Sequence, residues 1–301
     1  MFQGLEGLAA TNHLIDVARQ QEATDSSCQV VLRDVIYRVA LSEQNLDQFQ
    51  KTAAALPDIC EWVDRVDMDA SLQLGKDSLG YLRLSNGCKV VHMPSYLTCL
   101  WRACDNTERA KWKLVDNDDD LRTCLNEYET VVLAAGSGLF ESLLPREIFR
   151  IQLVRGQSVI TRKSEADAKR SEAILCGKYV SPLPEKDLLL IGATHEFKEE
   201  ALTEDKVIAE LRERTEAALP YVWNGSVEKI TEGYRVQSER GKFGRLPILG
   251  KCNDLCNLGG DTWVFTGLSS RGLLYHGLFG ELLSKAILAG DDQYKQLVKP
   301  I

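Results

Sequence analysis

The chain has 301 residues, 44% of them hydrophobic, which is enough apolar material for one large or two ordinary folded domains. Its 36 basic and 44 acidic residues leave a formal charge of -8, which argues against binding to a nucleic-acid phosphate backbone and against a polybasic membrane patch. No apolar run reaches the roughly 20 residues that a helix needs to cross a bilayer. The composition therefore predicts a soluble protein whose partners are small molecules or other proteins.

The nine cysteines are scattered along the chain, and we expect no secretory signal peptide ahead of them. We interpret them as thiols in a reducing compartment, either the cytoplasm or an organelle such as the plastid if the full-length product carries a transit peptide. Cys252 and Cys256 are close together, but neither a second pair nor a nearby histidine completes a tetrahedral zinc site. The sequence therefore predicts no metal.

The first predicted elements alternate between helix and strand. Apolar residues recur at helical spacing over residues 5–21, and the alternation over residues 30–41 is typical of a strand. Ser42 then has the position of an N-cap for a polar helix that ends at Ala55. A second, short helix is predicted over residues 58–66.

The next segment combines a hairpin signal, a helix and an acidic run. Two apolar-alternating runs between residues 81 and 93 flank Asn86 and Gly87, a pair that favours a hairpin turn. Pro94 then opens a predicted helix. Residues 116–120, four aspartates and one asparagine, lack the glycine and the terminal glutamate of a calcium loop, so we interpret them as a solvated surface loop.

The middle of the chain is rich in predicted strands. A buried strand begins at Val131 and ends in Gly136, Ser137 and Gly138, which is not a dinucleotide fingerprint because Glu141 stands where a third glycine is required. A helix over residues 204–219 interrupts the strands once, and the charged residues 162–172 form a predicted mobile connector between two of them. The other strands are predicted over residues 149–160, 173–181 and 188–194.

The most informative segment is a strand, a glycine-bounded turn and a helix, predicted over residues 261–266, 267–272 and 273–289. Backbone N–H groups and the positive end of a helix dipole converge at such a corner, which predicts an anion site. Ordinary α/β packing is the alternative interpretation. Together the predicted elements indicate an α/β fold, mixed with α+β character, that carries an appended antiparallel sheet.

Two features precede this corner. Arg235 stands at the predicted end of a strand beside Tyr234, and residues 246–250 place a proline-fixed backbone and Gly250 shortly before the corner. With the corner and three earlier segments, these residues resemble the D-amino-acid oxidase-like FAD-dependent oxidoreductases. Within that family the blocks look most similar to glycine oxidase and to the oxidase domain of the bifunctional tRNA 5-methylaminomethyl-2-thiouridine biosynthesis protein. The six blocks are residues 132–136, 155–157, 191–194, 233–235, 246–250 and 266–273.

The resemblance implies roles for named residues. It implies that Arg235 binds a substrate carboxylate through a bidentate fork and that Tyr179 lines the substrate pocket. An ordinary surface arginine and a half-buried strand tyrosine are the alternatives, and Val236 departs from the proline that often follows this arginine in the family. His195 and His276 receive no role. The residues implied to contact FAD are Ala135, Gly136, Gly250, Gly267, Ser269, Ser270, Arg271, Gly272 and Leu273.

Members of this family start with a strand, a G-x-G-x-x-G turn and a helix that bind the FAD pyrophosphate, and this sequence has no such turn. An incomplete sequence, a short isoform and a descendant kept for binding are the three explanations, of which we favour the first. We therefore expect an N-terminally truncated chain. Its incomplete Rossmann-like FAD-binding domain comprises residues 1–41, 112–145 and 246–301, interleaved with an antiparallel-sheet substrate domain of residues 42–111 and 146–245.

Two functions follow from the sequence. The first is an FAD-dependent oxidoreductase that oxidises the C–N bond of a small amine or amino acid by hydride transfer to the flavin. The second is a truncated, non-catalytic homologue that acts as a ligand-binding or interaction protein. The missing turn leaves both open.

Overall fold

The protein is mixed α/β in its computed structural model, which describes residues 3–22, 28–115, 117–197, 200–253 and 261–289. The chain divides into two compact units. The first unit comprises Met1–Val17, Ala103–Arg155 and Tyr234–Ile301, and the second comprises Ala18–Arg102 and Gly156–Gly233. The predicted assignment of residues to a cofactor domain and a substrate domain has other bounds and stays a prediction.

The elements are numbered here in chain order. The helices are α1 (Gly4–Glu22), α2 (Glu43–Ala55), α3 (Met93–Asp105), α4 (Asp118–Asn126), α5 (Leu139–Ser142), α6 (Arg146–Phe149), α7 (Glu204–Thr215) and α8 (Gly272–Ala289). The strands are β1 (Val31–Arg33), β2 (Ile36–Ala40), β3 (Cys60–Asp64), β4 (Gly80–Leu84), β5 (Val90–Val91), β6 (Thr130–Leu133), β7 (Ile151–Arg162), β8 (Ala173–Leu175), β9 (Tyr179–Pro182), β10 (Leu188–Gly192), β11 (Val227–Ser238), β12 (Arg240–Gly241), β13 (Gly244–Arg245), β14 (Ile248–Lys251) and β15 (Asp261–Thr266).

The second unit is built on an eight-stranded sheet in the order β11-β7-β10-β9-β8-β2-β4-β3. The neighbours from β7 to β8 and from β2 to β3 run antiparallel, whereas β2 and β8 run parallel. Helix α7 packs on this sheet through Val207 and Leu211, which are buried with Val159, Val180 and Ile191 of the strands. The strands predicted over residues 149–160 and 188–194 are confirmed as the antiparallel neighbours β7 and β10, whereas the single strand predicted over residues 173–181 is two strands, β8 and β9, which pair with each other.

Helix α2 shows how a short sequence signal specifies local structure. Ser42 is extended, and its side chain accepts a hydrogen bond from the backbone N–H of Asn45, as the N-cap pattern predicts. The helices predicted from Leu5 and from Pro94 are present as α1 and α3. Helix α7 begins after Thr203 as predicted but ends at Thr215, four residues before the predicted end.

Two predictions near this sheet are wrong. Residues 58–66 were predicted as a helix but contain strand β3, because β4 pairs with it along its whole length from Cys60 to Asp64. The predicted hairpin around Asn86 and Gly87 does not form either. Gly87 has the expected positive φ of 77°, but β4 pairs with β2 and β3, and β5 pairs with β1. Pairing with strands distant in sequence overrides the local turn signal.

The acidic run and the charged connector also differ from expectation. Asp116 lies outside the described residues, but Asn117 caps α4 by accepting a hydrogen bond from the backbone N–H of Asp120. Acidic residues in a first helical turn are favoured by the helix dipole, which explains this run better than a surface loop. The connector after Arg162 contains a 3₁₀ turn whose last residue, Asp167, is buried rather than solvated.

The buried Asp167 carboxylate makes the stability of the second unit pH-dependent. Burial raises its pKa, but hydrogen bonds from Ser164 and Asn224 and the 2.7 Å ion pair with Arg170 outweigh burial, so the pKa is lowered from 3.8. Because the folded-state pKa lies below the unfolded one, this stabilisation is complete above pH 3.8 and is lost as the pH falls through the folded-state pKa.

We therefore expect Asp167→Asn to lower the free energy of unfolding at pH 7 by about 1–2 kcal/mol. The difference from wild type is expected to shrink in acid, because both proteins then carry an uncharged group at this position. Urea unfolding at a series of pH values measures it. Exposed Asp47→Asn, which breaks only a surface ion pair with Lys51, is the control. A pH-independent difference would contradict the assignment.

The first unit contains a three-stranded sheet in the order β14-β15-β6. Strands β15 and β6 run parallel, and β14 runs antiparallel to β15. Within the described residues, β6 pairs with no strand on its other edge. Val132 on β6 is 43% exposed.

The two faces of this small sheet are covered by different helices. Trp263 of β15 packs with Tyr275 and Phe279 of α8 on one face. Val264, the next residue of β15, packs on the other face with Leu139 and Phe140. This alternation follows from the two-residue period of a strand, and it packs the middle of β15 on both faces of the sheet.

The described residues contain no helix long and apolar enough to cross a membrane and no acidic, histidine or cysteine cluster that could hold a metal. Eight cysteines fall within these ranges, and none of them is in a disulfide. Cys256 of the candidate zinc pair lies outside the described residues, so the structure does not describe that pair.

Candidate functional site

The candidate site lies where two parallel neighbouring strands of the first unit end. Strands β6 and β15 are paired up to Leu133 and Val264, and each continues directly into a tight turn. The carboxyl ends of adjacent parallel strands are the usual place for a ligand in α/β sheets. The structure therefore brings the turn after β6 and the turn after β15 to the same edge of one sheet. Both turns belong to segments that the sequence predicted.

Both turns depend on a glycine with positive φ, 57° at Gly136 and 69° at Gly267. At Gly267 an added Cβ would also lie 3.0 Å from Cγ1 and 3.3 Å from the backbone N of Ile248, so Ile248 would have to shift. Ile248 pairs with Thr266 across β14 and β15, so it cannot move away without disturbing the sheet. Glycine is needed here for both its backbone freedom and its small size.

The outer side of the two turns is open. An added Cβ at Gly136, at Gly138 or at Gly272 would meet no described atom within 4 Å. Ala134 and Ala135, between strand β6 and its turn, are exposed. The edge thus offers a row of small residues with free space in front of them.

Helix α8 begins at this open edge. A 3₁₀ turn over Ser269–Arg271 leads into it, and the first N–H groups of a helix point outward without intrahelical partners. The Arg271 guanidinium donates a 3.2 Å hydrogen bond to the Tyr275 hydroxyl and forms no ion pair with a carboxylate of the described residues. The helix start and Arg271 together make this turn electropositive, as predicted for an anion site.

His276, which received no role, adds no charge at neutral pH. Burial lowers its pKa below 6.5, and hydrogen bonds to the carbonyls of Leu273 and Gly272 offset this only in part. The neutral ring therefore donates from Nδ1 to Leu273 O, at 2.9 Å. The Thr11 hydroxyl of α1 donates to the same carbonyl, at 2.6 Å. These two contacts hold the first turn of α8.

The last part of strand β11, from Tyr234 onward, belongs to the first unit, and a backbone bridge between Gln237 and Leu268 connects it to the site. Arg235 lies two residues before Gln237 on this strand, so the two side chains are on the same face of β11. The prediction that Arg235 stands at a strand end is wrong, because β11 continues to Ser238. The Arg235 side chain is exposed and forms no hydrogen bond or ion pair within the described part of the chain.

Arg155 received no role from the sequence. It is 7% exposed, its Nε donates a 2.8 Å hydrogen bond to the Tyr234 hydroxyl, and its guanidinium lies 5.1 Å from the centre of the Tyr234 ring. The alternation of β11 then places Tyr234 and Arg235 on opposite faces. Arg155 lies in the block of residues 155–157 that resembles the family, and this was the signal that could have identified it. The sequence alone does not show which tyrosine Arg155 contacts.

Two other predicted site residues lie elsewhere. Gly250 is buried inside β14, paired with Val264, and is not part of either turn. Tyr179 belongs to the second unit, where its hydroxyl is 2.9 Å from Oγ of Ser158. Gly192 makes this contact possible, since an added Cβ would lie 2.3 Å from Ser158 Oγ and 2.5 Å from the Tyr179 hydroxyl. The structure thus positions Tyr179 tightly, and its role in substrate binding stays a prediction.

The family resemblance implies FAD at the open edge, and the residues there fit the flavin end of that cofactor. Free space in front of Gly136, Gly138 and Gly272 can accept a planar ring system, and an electropositive helix start suits a ring that gains negative charge on reduction. No residue is assigned to the phosphate end, since the sequence has no G-x-G-x-x-G turn.

The comparisons with known proteins agree with this geometry. Among solved structures, the chain is similar to glycine oxidase from Bacillus cereus ATCC 14579, with a TM-score of 0.72 and 16% identity over 97% of this chain and 81% of that chain. Glycine oxidase from Geobacillus kaustophilus gives a TM-score of 0.66 and 18% identity over 96% and 79%. Iminodiacetate oxidase from Chelativorans sp. BNC1 gives 0.67 and 15% over 95% and 79%.

These low identities establish the fold, and the predicted likeness to the tRNA biosynthesis protein stays a prediction. No curated protein sequence matches the chain. The model of the family described as FAD dependent oxidoreductase, DAO, matches residues 8–286. Because this match spans most of the 301 residues, the chain belongs to the DAO family of FAD-dependent oxidoreductases.

Proposed function

We propose that the protein oxidises the C–N bond of a small amine or amino acid that carries a carboxylate, with FAD as its cofactor. The observation that carries this proposal is the bridge between Gln237 and Leu268, which holds Arg235 near the turn that follows β15. Two residues along a strand span about 7 Å, and an arginine side chain covers that distance. A carboxylate bound to Arg235 would therefore hold its substrate close to the open edge.

Arg235 suits this role because its positive charge is not neutralised by a described carboxylate and its side chain is exposed. A guanidinium binds a carboxylate through two parallel hydrogen bonds, which fixes direction as well as distance. Holding the substrate in one orientation over its reaction partner accounts for a large share of enzymatic rate enhancement. The proposed role of Arg235 is to bind and orient.

When bound, FAD supplies the acceptor for the hydride that leaves the α-carbon of the substrate. The residues of this chain then stabilise the charge that develops during the reaction. The start of α8 and Arg271 stabilise negative charge that develops in front of Gly272. The oxidised substrate is an imine. Water hydrolyses this imine without help from these side chains. Oxygen is the proposed final electron acceptor.

The relatives support the substrate class. Glycine oxidase and iminodiacetate oxidase are named for compounds that combine an amine with one or two carboxylates. Arg235 provides one site for such a carboxylate in this chain. We place the protein in a reducing compartment, the cytoplasm or a plastid, as the thiol-rich composition indicates, and propose no nucleic-acid partner.

A reconstitution experiment tests the proposal. The purified chain is refolded with FAD and passed through a desalting column, and its visible spectrum is recorded before and after anaerobic addition of glycine, sarcosine or iminodiacetate. We expect bound flavin whose absorbance is bleached by at least one of these compounds, and not by the matched amines without a carboxylate. Bound flavin that no amine reduces would contradict the proposed substrate class. Failure to retain flavin would favour the non-catalytic ligand-binding or interaction protein instead.

A further inference from the structure

One face of helix α3 in the second unit contacts the segment of residues 28–30. The backbone N–H of Gln29 donates to the Ser95 hydroxyl, at 3.3 Å, and Nη1 of Arg102 donates to the Cys28 sulfur, at 3.7 Å. Ser95 and Arg102 are seven residues apart, which is two helical turns, so they lie on the same face of α3. The segment therefore runs along this face.

Cys99 lies between these two contact points. It follows Ser95 by four residues and precedes Arg102 by three, so its side chain shares their face. It is 0% exposed, whereas Cys28 is half-buried. Burial first of all, together with the neighbouring Cys28 side chain, raises the pKa of Cys99 to about 11. The segment that carries Cys28 therefore passes over the face on which Cys99 lies, with one thiol reachable from solvent and the other enclosed.

We propose that Cys28 and Cys99 form a reversible disulfide, with Cys28 as the thiol that reacts with hydroperoxides and Cys99 as the thiol that resolves the product. An S–S bond of about 2.05 Å requires two sulfurs on facing segments, and the contacts of Gln29 with Ser95 and of Cys28 with Arg102 hold residues 28–30 against the face of α3 that carries Cys99. The site is independent of the proposed amine oxidation and uses residues of the second unit alone.

The chemistry needs one hydroperoxide and consumes both thiols. The Cys28 thiolate attacks the distal peroxide oxygen, so an S–O bond forms, the O–O bond breaks, and the leaving hydroxide takes a proton to become water. The Cys99 sulfur then attacks the Cys28 sulfur, the S–S bond forms, and the S–O bond breaks. The hydroxide that leaves takes the Cys99 proton as a second water. Two electrons pass from the two thiols to the peroxide.

The surroundings assign the two roles. Arg102 places a positive charge 3.7 Å from the Cys28 sulfur, where it stabilises negative charge on the attacking atom. Cys99 is buried, remains protonated at neutral pH and is screened from hydroperoxide, so it reacts only with its neighbour. The direction of the reaction is set by which sulfur the oxidant can reach.

Peptide mapping tests the proposal on the full chain. The reduced protein is treated with hydrogen peroxide, blocked with iodoacetamide and digested with trypsin. Cys28 and Cys99 fall in separate tryptic peptides, residues 20–33 and 90–102, each with a single cysteine. We expect these two peptides to appear linked, with a mass lower by two hydrogen atoms, and to separate again after dithiothreitol.

Variants distinguish the two roles. Cys99→Ser should accumulate a sulfenic acid at Cys28 that dimedone traps, whereas Cys104→Ser, an exposed thiol two residues after Arg102, should form the link as wild type does. Arg102→Gln should slow oxidation at least about fivefold, the effect of one charge at 4 Å in water, and Arg109→Gln should not. Absence of the linked peptides in wild type, or an equal yield of Cys28 linked to another cysteine, would overturn the proposal.

Discussion

Arg235→Ala is expected to raise the KM for a carboxylate-bearing amine about a hundredfold in the FAD-reconstituted protein. The substitution removes two charge-assisted hydrogen bonds, a loss of about 3 kcal/mol, and each 1.4 kcal/mol is tenfold in affinity. The maximal rate falls less than the apparent affinity does, because a bound substrate still reacts once it is in place. Steady-state oxygen consumption against substrate concentration measures both constants.

Two further variants make this result specific to the guanidinium. Arg235→Lys keeps the charge but not the fork, so its KM is expected between those of wild type and alanine. Arg240→Ala removes another exposed arginine, on β12, and is expected to leave the KM unchanged. An unchanged KM for Arg235→Ala would remove this residue from the substrate site, while leaving the flavin-side edge untouched.

Gly272→Leu is expected to weaken FAD binding by about 10- to 100-fold without lowering the stability of the cofactor-free protein. The residue has helical φ and ψ of −51° and −54°, and an added Cβ meets no atom within 4 Å, so the free chain accommodates leucine. Leucine even favours the helix by roughly 1 kcal/mol over glycine. In the complex the same side chain occupies the space assigned to the flavin, and such overpacking costs about 1–3 kcal/mol.

Fluorescence titration with FAD measures the binding constant, and thermal unfolding of the cofactor-free protein measures stability. Ser284→Leu introduces the same side chain on an exposed position of α8, three turns further on, and is expected to change neither quantity. Equal FAD affinity in Gly272→Leu and wild type would show that the cofactor does not lie in front of this turn.

Elements of the fold that depend on residues close in sequence could be predicted, whereas those that depend on residues distant in sequence could not. The cap at Ser42 and the strand, turn and helix after Asp261 were predicted correctly because each involves residues a few positions apart. The hairpin at Asn86 failed because β4 and β5 pair with β2, β3 and β1 instead. A local turn signal cannot report which distant strand competes for the same edge.

The site shows the same division. Its glycines were recognised as candidates from the family resemblance, and the structure assigns physical reasons to two of them, Gly136 and Gly267. The bridge from Gln237 to Leu268 and the contact of Arg155 with Tyr234 had no local signal, since each joins segments separated by a loop or by another strand. Gly250 resembled a family block but lies inside a strand. The sequence indicated the candidate site residues better than it indicated the residues that they contact.

The hydrogen bond from Thr11 to Leu273 has a consequence for the order of assembly. It joins residues 262 positions apart, and closing so long a loop costs chain entropy that must be offset before the contact forms. During synthesis α1 leaves the ribosome well before the first turn of α8 does. The contact that holds the first turn of α8 therefore forms only after the residues between Thr11 and Leu273 have been synthesised, so this part of the edge assigned to the cofactor is completed late.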